Sequence, residues 1–168
     1  MSTNIRLETP NDSQSINEVT VAAFLDAPHT DHTEPFIVKS LRDSCELRIS
    51  LVAENSTGII GHVALSAVAI SDGSIGWFGL GPLSVLPDEQ GKGIGSKLVL
   101  AALEELKKLN ASGCVLLGDP DYYRRFGFKA IDGLVFTGVQ AEYFQALLFQ
   151  GTYPKGAVTY HASFSAQA

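Results

Sequence analysis

The chain has 168 residues, of which 45% are hydrophobic and 18% charged, with 2 cysteines and a net charge of −6. A chain of this length buries roughly 70% of its surface on folding, so we expect one globular domain, residues 1–168, that needs no disulfide or metal to hold it together. Residues 1–72 hold 4 basic and 10 acidic side chains, whereas residues 73–168 hold 8 of each. This acidic balance without a Lys/Arg cluster argues against a nucleic-acid or anionic-membrane partner. The acidic first half fits either ordinary solubility or a preference for a cationic substrate.

The cysteines and the N-terminal segment indicate the compartment. No basic segment followed by an apolar stretch opens the sequence, and no apolar run approaches the roughly 18 residues of a membrane span. We therefore expect a cytoplasmic protein. Cys45 and Cys114 form no Cys-x-x-Cys or paired histidine spacing, which excludes a zinc site or thioredoxin motif, and we expect both to be reduced core residues.

Hydrophobic periodicity in the first half predicts a strand, two helices and a meander of antiparallel strands. The predicted elements are a strand over 4–8, a helix carrying Ile16, Val19, Ala23 and Phe24, an exposed loop over 27–34, a helix carrying Phe36, Ile37, Leu41 and Cys45, and strands over 47–53, 59–70 and 75–85. Gly79, Gly81 and Pro82 interrupt the last strand, and proline cannot donate to a ladder. We expect a gap in the sheet at Gly81–Val85.

The second half begins with a glycine-rich loop and an amphipathic helix. That helix carries Ile94, Leu98, Ala102, Leu106 and Leu109 and should stop near 110–113. A buried strand over Cys114–Leu117 and a short helix capped by Asp119-Pro120 follow. Strands are expected at 134–137 and 157–164, with a helix over 141–149 between them.

The loop Gln90-Gly91-Lys92-Gly93-Ile94-Gly95-Ser96 is the most informative segment. Alternate glycines allow successive backbone N–H groups to face one point, and the following helix directs its positive end there. Phosphate or pyrophosphate is the ligand that this arrangement favours. No glycine precedes Gly91, Gly93 or Gly95 by five positions, which excludes a P-loop, and Ser96 stands where a dinucleotide fingerprint needs its last glycine.

A third pattern, Gln/Arg-x-x-Gly-x-Gly/Ala, is met by Gln90, Gly93 and Gly95. It resembles the pyrophosphate loop of the GNAT superfamily of acyl-CoA N-acyltransferases, and the order of predicted elements matches that family along nearly the whole chain. Tyr122-Tyr123-Arg124-Arg125-Phe126-Gly127-Phe128 looks like the family's Tyr-x-x-x-Gly-Phe signature. The segment from Gly118 to Phe128 particularly resembles a branch described only as predicted N-acetyltransferases.

The resemblance implies a fold and a co-substrate. The fold would be α/β, with a mixed, mostly antiparallel central sheet of about seven strands flanked by helices and a cleft between strands four and five. Acetyl-CoA would be the co-substrate, without a metal. The residues that would contact it are Leu83, Ser84, Val85, Gln90, Gly91, Lys92, Gly93, Ile94, Gly95, Ser96 and Tyr123.

The same resemblance gives the chemistry expected at the thioester. Tyr123 would be the catalytic residue that donates a hydrogen bond or proton to the sulfur, whereas Tyr122 is expected to pack. A backbone N–H of Leu83 or Val85 would polarise the carbonyl. Many relatives carry a pantetheine-contacting asparagine near Gly118-Asp119, and this chain does not.

Three features of the acceptor side stay open. The segment 77–85 contains no titratable acid or base, although relatives often use a carboxylate there. Candidate bases are Glu54, Asp31, Glu34, His62 and His161, each of which is also compatible with a structural role. Phe136, Tyr143, Phe144 and Phe149 fit either an acceptor pocket or the core.

The functional expectation is therefore an acetyl-CoA-dependent N-acetyltransferase acting on a primary amine of a small molecule by direct attack on the thioester. The missing base in segment 77–85 supports one alternative, a non-catalytic acyl-CoA sensor. A second alternative is an acetyltransferase acting on protein N-termini or lysines. The sequence leaves a homodimer open.

Overall fold

The computed structural model describes residues 2–28 and 30–167. Within them the chain forms four α-helices and nine β-strands joined by loops and short 3₁₀ turns. In chain order these are β1 (Asn4–Leu7), α1 (Ser13–Phe24), α2 (Glu34–Asp43), β2 (Ile49–Asn55), β3 (Gly58–Ala67), β4 (Ala69–Ile70), β5 (Trp77–Val85), α3 (Ile94–Lys108), β6 (Gly113–Leu117), α4 (Pro120–Tyr123), β7 (Leu134–Val135), β8 (Phe144–Leu148) and β9 (Gly156–Thr159).

Six strands are hydrogen-bonded in the order β1-β2-β3-β5-β6-β8, and the three short strands form a second sheet in the order β4-β9-β7. The β1-β2, β2-β3 and β6-β8 pairs are antiparallel, and β5 pairs with β6 in parallel. This mixed, mostly antiparallel α/β architecture confirms the predicted fold class, with the strands divided between two sheets.

The fold separates into two compact units, of which the first contains Met1–Leu65, Gly81–Glu104 and Ala162–Ala168. Its core joins Ile16 of α1, Val38 of α2 and Val52 of β2, so both helices bury an apolar stripe against a strand. Gly61 of β3 permits a close approach by α3, because a Cβ there would lie 3.0 Å from the Leu98 side chain.

The second unit contains Ser66–Leu80 and Glu105–His161. Its core is one cluster of buried side chains: Ile70, Trp77, Val115, Leu134, Phe144, Ala146 and Val158. Gly113 is required where β6 passes Trp77, since a Cβ there would lie 2.4 Å from the indole ring and 2.6 Å from the Leu147 carbonyl oxygen.

Three predicted elements differ from the observed ones. The expected helix over 141–149 is a 3₁₀ turn at Ala141–Tyr143 followed by strand β8, which pairs along its whole length with β6. The expected strand over 59–70 divides into β3 and β4, because Ala69 and Ile70 pair with β9 in the second sheet. The expected strand over 157–164 ends at Thr159 and is followed by a 3₁₀ turn at Ala162–Ser165.

Three side chains predicted to lie on the apolar stripes of their helices are exposed, and one of them is Phe36 of α2, at 37%. Leu109 follows the end of α3 and is 55% exposed. Cys45 lies beyond the end of α2 with φ +61 and is also exposed, so the prediction of a core cysteine is wrong there and correct for the fully buried Cys114.

The predicted interruption of strand pairing is confirmed. The parallel register pairs Trp77 with Gly113, Phe78 with Cys114 and Gly79 with Val115, whereas β5 itself continues to Val85. In the described ranges, no helix combines the length and the apolar character that crossing a bilayer would require.

Candidate functional site

The glycine-rich loop lies in the first unit, between a 3₁₀ turn at Pro87–Glu89 and α3. Gly91 and Gly93 have φ of +79 and +82, values that L side chains rarely adopt, and a Cβ at either would meet nothing within 4 Å. The Lys97 amide donates to the Gly93 carbonyl at 3.1 Å, so the Ile94 and Gly95 amides precede this helical bond. Backbone donors and open space in front of a helix suit an anionic group.

Two side chains of this loop are engaged within the loop region itself. The Gln90 amide donates to the Val85 carbonyl at 3.1 Å, which connects the loop to the end of β5. The Lys92 ammonium lies 3.2 Å from a carboxylate oxygen of Glu89. The Gln90 side chain therefore already donates to the carbonyl of Val85, one of the residues expected to contact the co-substrate.

The segment Leu83–Val85 belongs to the same unit as the loop. Just beyond it, the Leu86 amide donates to the Ile60 carbonyl of β3 at 2.9 Å, and the Ser84 side chain is 1% exposed. Leu83, Ser84 and Val85 thus form the last part of β5, immediately before the turn that leads into the glycine loop.

Tyr123 lies in the second unit, at the end of α4. The helix begins as predicted, since the Asp119 carboxylate accepts from the Asp121 amide at 2.9 Å. The Tyr123 ring meets Tyr122 edge-on at 4.8 Å between centroids and Phe128 edge-on at 6.1 Å. Burial, together with the neighbouring Tyr122, Cys114 and Asp119, raises the pKa of the Tyr123 phenol, so it stays protonated at neutral pH.

Tyr122, the residue before Tyr123, packs against its neighbours, as predicted for it. Tyr122 packs edge-on against Phe126 at 5.6 Å, and the Arg125 guanidinium lies 4.5 Å above its ring. Gly127 ends the segment with φ +98, as the Tyr-x-x-x-Gly-Phe pattern predicts. Burial raises the pKa of the Cys114 thiol, so a nucleophilic thiolate is disfavoured there.

Three candidate bases accept hydrogen bonds from nearby side chains. Glu54 accepts from the Arg6 guanidinium at 2.8 Å, Asp31 from the Thr33 hydroxyl at 2.6 Å and Glu34 from the Thr30 hydroxyl at 2.6 Å. The hydrogen bond from Arg6 lowers the pKa of Glu54, and that from Thr33 lowers the pKa of Asp31. His29, in the same loop as Asp31, lies outside the described residues.

His62 differs from these candidates because it is fully buried in the first unit. Its Nε2 atom lies 2.7 Å from the Ser50 hydroxyl oxygen. Burial lowers the pKa of His62 from 6.5 to about 4, with a smaller contribution from Arg42, although the Glu8 carboxylate acts in the opposite direction. The imidazole is therefore neutral at physiological pH. Neither the contact of Ser50 with His62 nor that of Glu8 with Ser50 was predicted from the sequence.

The aromatic candidates for an acceptor pocket lie in the second unit, and only some of them belong to its core. Phe144 is buried, and Phe136 stacks on it at 5.7 Å between centroids, so both belong to the core. Tyr143 is 44% exposed, and the Lys107 ammonium lies 5.8 Å from the centre of the Phe149 ring.

A glycine loop with this geometry at a strand-to-helix junction, on a mixed sheet whose parallel pairing ends early, defines a protein of the acyl-CoA transferase class. Residues 46–130 match the family model of the acetyltransferase (GNAT) domain. A GNAT family acetyltransferase from Brucella melitensis, whose crystal structure is a complex with acetyl-CoA, is 47% identical with a TM-score of 0.87, covering 97% of this chain and 98% of that one.

A second relative comes from Escherichia coli. The uncharacterized N-acetyltransferase YhbS is 35% identical over 126 residues, which cover 74% of this chain and 72% of YhbS. Its crystal structure in complex with CoA aligns with a TM-score of 0.87 at 30% identity, covering 99% of this chain and 93% of that one. The chain therefore belongs to the GNAT family of acetyltransferases.

Proposed function

We propose that this enzyme transfers the acetyl group of acetyl-CoA to a primary amine of a small molecule. The observation that carries the proposal is the loop containing Gly91 and Gly93, where positive φ values and open space at both Cβ positions leave the backbone accessible before α3. That arrangement fits the pyrophosphate of CoA. The acetyl-CoA complex of the Brucella relative supports the choice of ligand.

The remaining contacts follow from the family pattern. The loop Gln90, Gly91, Lys92, Gly93, Ile94, Gly95 and Ser96 would hold the pyrophosphate, and Leu83, Ser84 and Val85 would pair with the pantetheine amides as an added strand does. A backbone N–H of Leu83 or Val85 would donate to the thioester carbonyl oxygen, where negative charge develops during attack.

Tyr123 would act on the leaving group. Acetyl-CoA supplies a thioester whose departing thiolate corresponds to a thiol with a pKa near 8.5, already a fair leaving group. A phenol that stays protonated can donate to the sulfur, and general acids of this kind contribute about 10² to 10⁴ in rate. The raised pKa of Tyr123 supports a donor role over a role as base.

The acidic first half supports a cationic acceptor. An amine with a pKa of about 10 is roughly 99.9% protonated at neutral pH, so an anionic acceptor side would attract it. Asp31, whose pKa is lowered by Thr33, is a carboxylate at this pH. Screening small amines beside lysine-containing and free N-terminal peptides tests the acceptor class: thiol release with peptides alone would replace the small-molecule proposal by protein acetylation.

Calorimetry with acetyl-CoA tests the ligand. The wild type should bind, whereas Gly93→Asp should weaken binding at least about 100-fold, because a carboxylate would repel the pyrophosphate and occupy its space. Gly138→Asp is the matched control, since Gly138 has φ +88 and also has nothing within 4 Å of its Cβ position. Absence of binding by the wild type, or equal affinities of the Gly93→Asp variant and the wild type, would overturn the proposal.

A further inference from the structure

A buried glutamine lies in the second unit beside the segment that leads from β6 into α4. Gln145 of β8 is 1% exposed and stands opposite Leu116 in the antiparallel register of β6 and β8. The ladder continues one residue beyond the end of β6, because the Gly118 amide donates to the Tyr143 carbonyl at 3.0 Å. Gln145 is therefore a diagonal neighbour of Gly118, and its side chain lies on the face to which a Cβ of Gly118 would point.

One hydrogen bond joins the Gln145 side chain to this segment. Its Nε2 atom donates to the Gly118 carbonyl oxygen at 3.0 Å. A carbonyl oxygen can only accept, so the chemistry settles which end of the carboxamide meets Gly118. Both backbone groups of Gly118 are thus held from the side of β8, the amide by Tyr143 and the carbonyl by Gln145.

The second amide atom shows that this glutamine is a poor choice for stability alone. Gln145 Oε1 is buried and has no hydrogen-bond partner among the described residues. A buried acceptor without a partner costs free energy that an apolar side chain of similar size would not. The useful contact of the carboxamide is therefore its bond to Gly118.

The Gly118 carbonyl belongs to the peptide group from which α4 begins. That peptide joins Gly118 to Asp119, whose carboxylate accepts from the Asp121 amide at 2.9 Å and whose carbonyl accepts from the Tyr123 amide at 3.0 Å. Because a peptide group is planar, a bond that fixes the Gly118 carbonyl also fixes the direction in which the chain enters Asp119. Gln145 thereby determines where the four-residue helix that carries Tyr123 starts.

Gly118 is also the surface against which the Tyr123 ring lies. A Cβ on Gly118 would lie 2.4 Å from Cε2 of that ring and 3.5 Å from Cζ, the carbon that bears the hydroxyl. The Cβ position is on the face that carries the Gln145 side chain, so ring, glycine and carboxamide lie on one side of the sheet. A shift of the Gly118 peptide would therefore move the ring that rests on it.

We propose that Gln145 is a positioning residue for Tyr123: its bond to the Gly118 carbonyl holds the peptide that starts α4 and supports the ring, and so directs the Tyr123 hydroxyl toward the departing sulfur. The proposal rests on the proposed function, because the role of Tyr123 as a donor is what makes its position matter for the rate. In this role Gln145 acts through Tyr123 alone and exchanges no proton.

Gln145→Met tests the proposal, because methionine has a similar length and size but no donor. Thiol release from acetyl-CoA should show kcat lowered about 10- to 100-fold, the cost of misplacing a catalytic group by about 1 Å, with KM for acetyl-CoA changed less than about threefold. In a Tyr123→Phe background the same substitution should lower kcat less than about twofold. A wild-type kcat, or an equal loss in both backgrounds, would overturn the proposal, the latter by assigning Gln145 a structural role.

Gln150 provides the matched control. Its Nε2 atom also donates to a backbone carbonyl next to β6, that of Asn110, at 2.7 Å. Asn110 precedes the start of β6, whereas Gly118 follows its end. Gln150→Met therefore removes the same kind of bond at the opposite end of the same strand, and its kcat should equal that of the wild type. A loss as large as that of Gln145→Met would contradict a specific effect on Tyr123.

Gln145→Glu tests the donor itself. An ionised carboxylate would place an acceptor against the Gly118 carbonyl, whereas a protonated carboxyl group donates to it, and a buried carboxyl group protonates more readily than an exposed one. The kcat of this variant relative to the wild type should therefore rise as the pH falls from about 8 to about 5. A ratio as low as that of Gln145→Met at every pH would contradict the proposed bond.

A measurement without turnover separates this proposal from the proposed function. In carbon NMR of the protein labelled in the tyrosine rings, the Tyr123 resonances are assigned by their loss in Tyr123→Phe. Gln145→Met should shift them or speed the flipping of the ring, and Gln150→Met should leave them unchanged. If Tyr123→Phe has wild-type kcat, or no amine or peptide is acetylated, the proposed role of Tyr123 fails. Unchanged Tyr123 resonances in Gln145→Met overturn the assignment of Gln145 whether or not transfer is observed.

Discussion

The position of the Tyr123 ring depends on the absence of a side chain at residue 118. A Cβ on Gly118 would lie 2.4 Å from Cε2 and 2.9 Å from Cδ2 of that ring. The glycine therefore allows the aromatic ring to lie directly against the backbone. This gives Gly118 a role in orienting the proposed general acid.

Gly118→Ala should consequently reproduce much of the effect of Tyr123→Phe. We expect each variant to lower kcat by about 10² to 10⁴ while changing the acetyl-CoA Kd less than about threefold. Because both remove the same function, the double variant should be no slower than Tyr123→Phe alone. Steady-state kinetics and calorimetry measure the two quantities. An alanine at 118 with wild-type kcat would show that the ring position is irrelevant to transfer.

Single residues differ in how far the sequence could assign them. Tyr123 and the glycines of the loop lie at fixed local spacing, so the pattern alone identifies them. The contact of Ser50 with His62, and of Glu8 with Ser50, depends on strand register, which a single sequence specifies weakly. In the sequence, His62 was therefore one of five candidate bases, and the polar groups that contact it could not be predicted.

At the scale of elements, the end of α2 shows why a helix terminus can be missed in the sequence pattern. The Glu46 amide donates to the Leu41 carbonyl at 2.8 Å, and Cys45 between them takes φ +61. This is a Schellman-type cap, which usually places glycine at the left-handed position. With cysteine there instead, helical spacing continued through residue 45 in the sequence and predicted a buried side chain.

Cys45→Gly should stabilise the protein for the same reason. Relief of the left-handed strain exceeds the added flexibility of glycine, and we expect the free energy of unfolding to rise by about 0.5 to 1 kcal/mol. Cys45→Ala retains the strain of an L residue and serves as the control, with no such gain. Urea unfolding of the three proteins provides the comparison, and a gain shared by both variants would attribute it to loss of the thiol.

The elements predicted correctly are those with long periodic patterns or local caps. Helices α1 and α3 and the Asp119 cap belong to this group. Strand β8 was predicted as a helix because Phe144–Leu148 is short and apolar and its pairing partner, β6, lies 27 residues or more away in the sequence. For such short apolar segments, burial on a sheet determines the secondary structure, and local propensity does not.

On the scale of the whole molecule, part of the acidic charge of the first half is structural. Glu8 pairs with Arg42 at 2.9 Å, and Asp12 pairs with Arg6 at 2.7 Å. Hydrogen bonds from Arg6, opposed in part by burial and supported by Thr9, lower the pKa of Asp12 from 3.8 to about 2. These two carboxylates form ion pairs within the fold, so the proposed preference for a cationic acceptor would depend on other acidic groups, such as those of residues 31 and 34.

The buried histidine makes the stability of the molecule depend on pH. The pKa of His62 is about 4 in the folded protein and 6.5 when the side chain is exposed. Between these values the unfolded chain binds a proton that the folded protein does not, so stability is complete above about pH 6.5 and is lost as the pH falls toward 4. The lowering corresponds to at most about 3 kcal/mol.

Urea unfolding from pH 8 to pH 4.5 measures this dependence. The free energy of unfolding of the wild type should fall with acid across that range, and the fall should be smaller in His62→Gln, which has no imidazole to protonate. Asp12→Asn should lower stability without altering the slope above pH 4.5, because the pKa of Asp12 places its titration between 3.8 and about 2. Parallel pH profiles for the wild type and His62→Gln would mean that the folded protein binds a proton at His62 as readily as the unfolded chain does, and would contradict the lowered pKa.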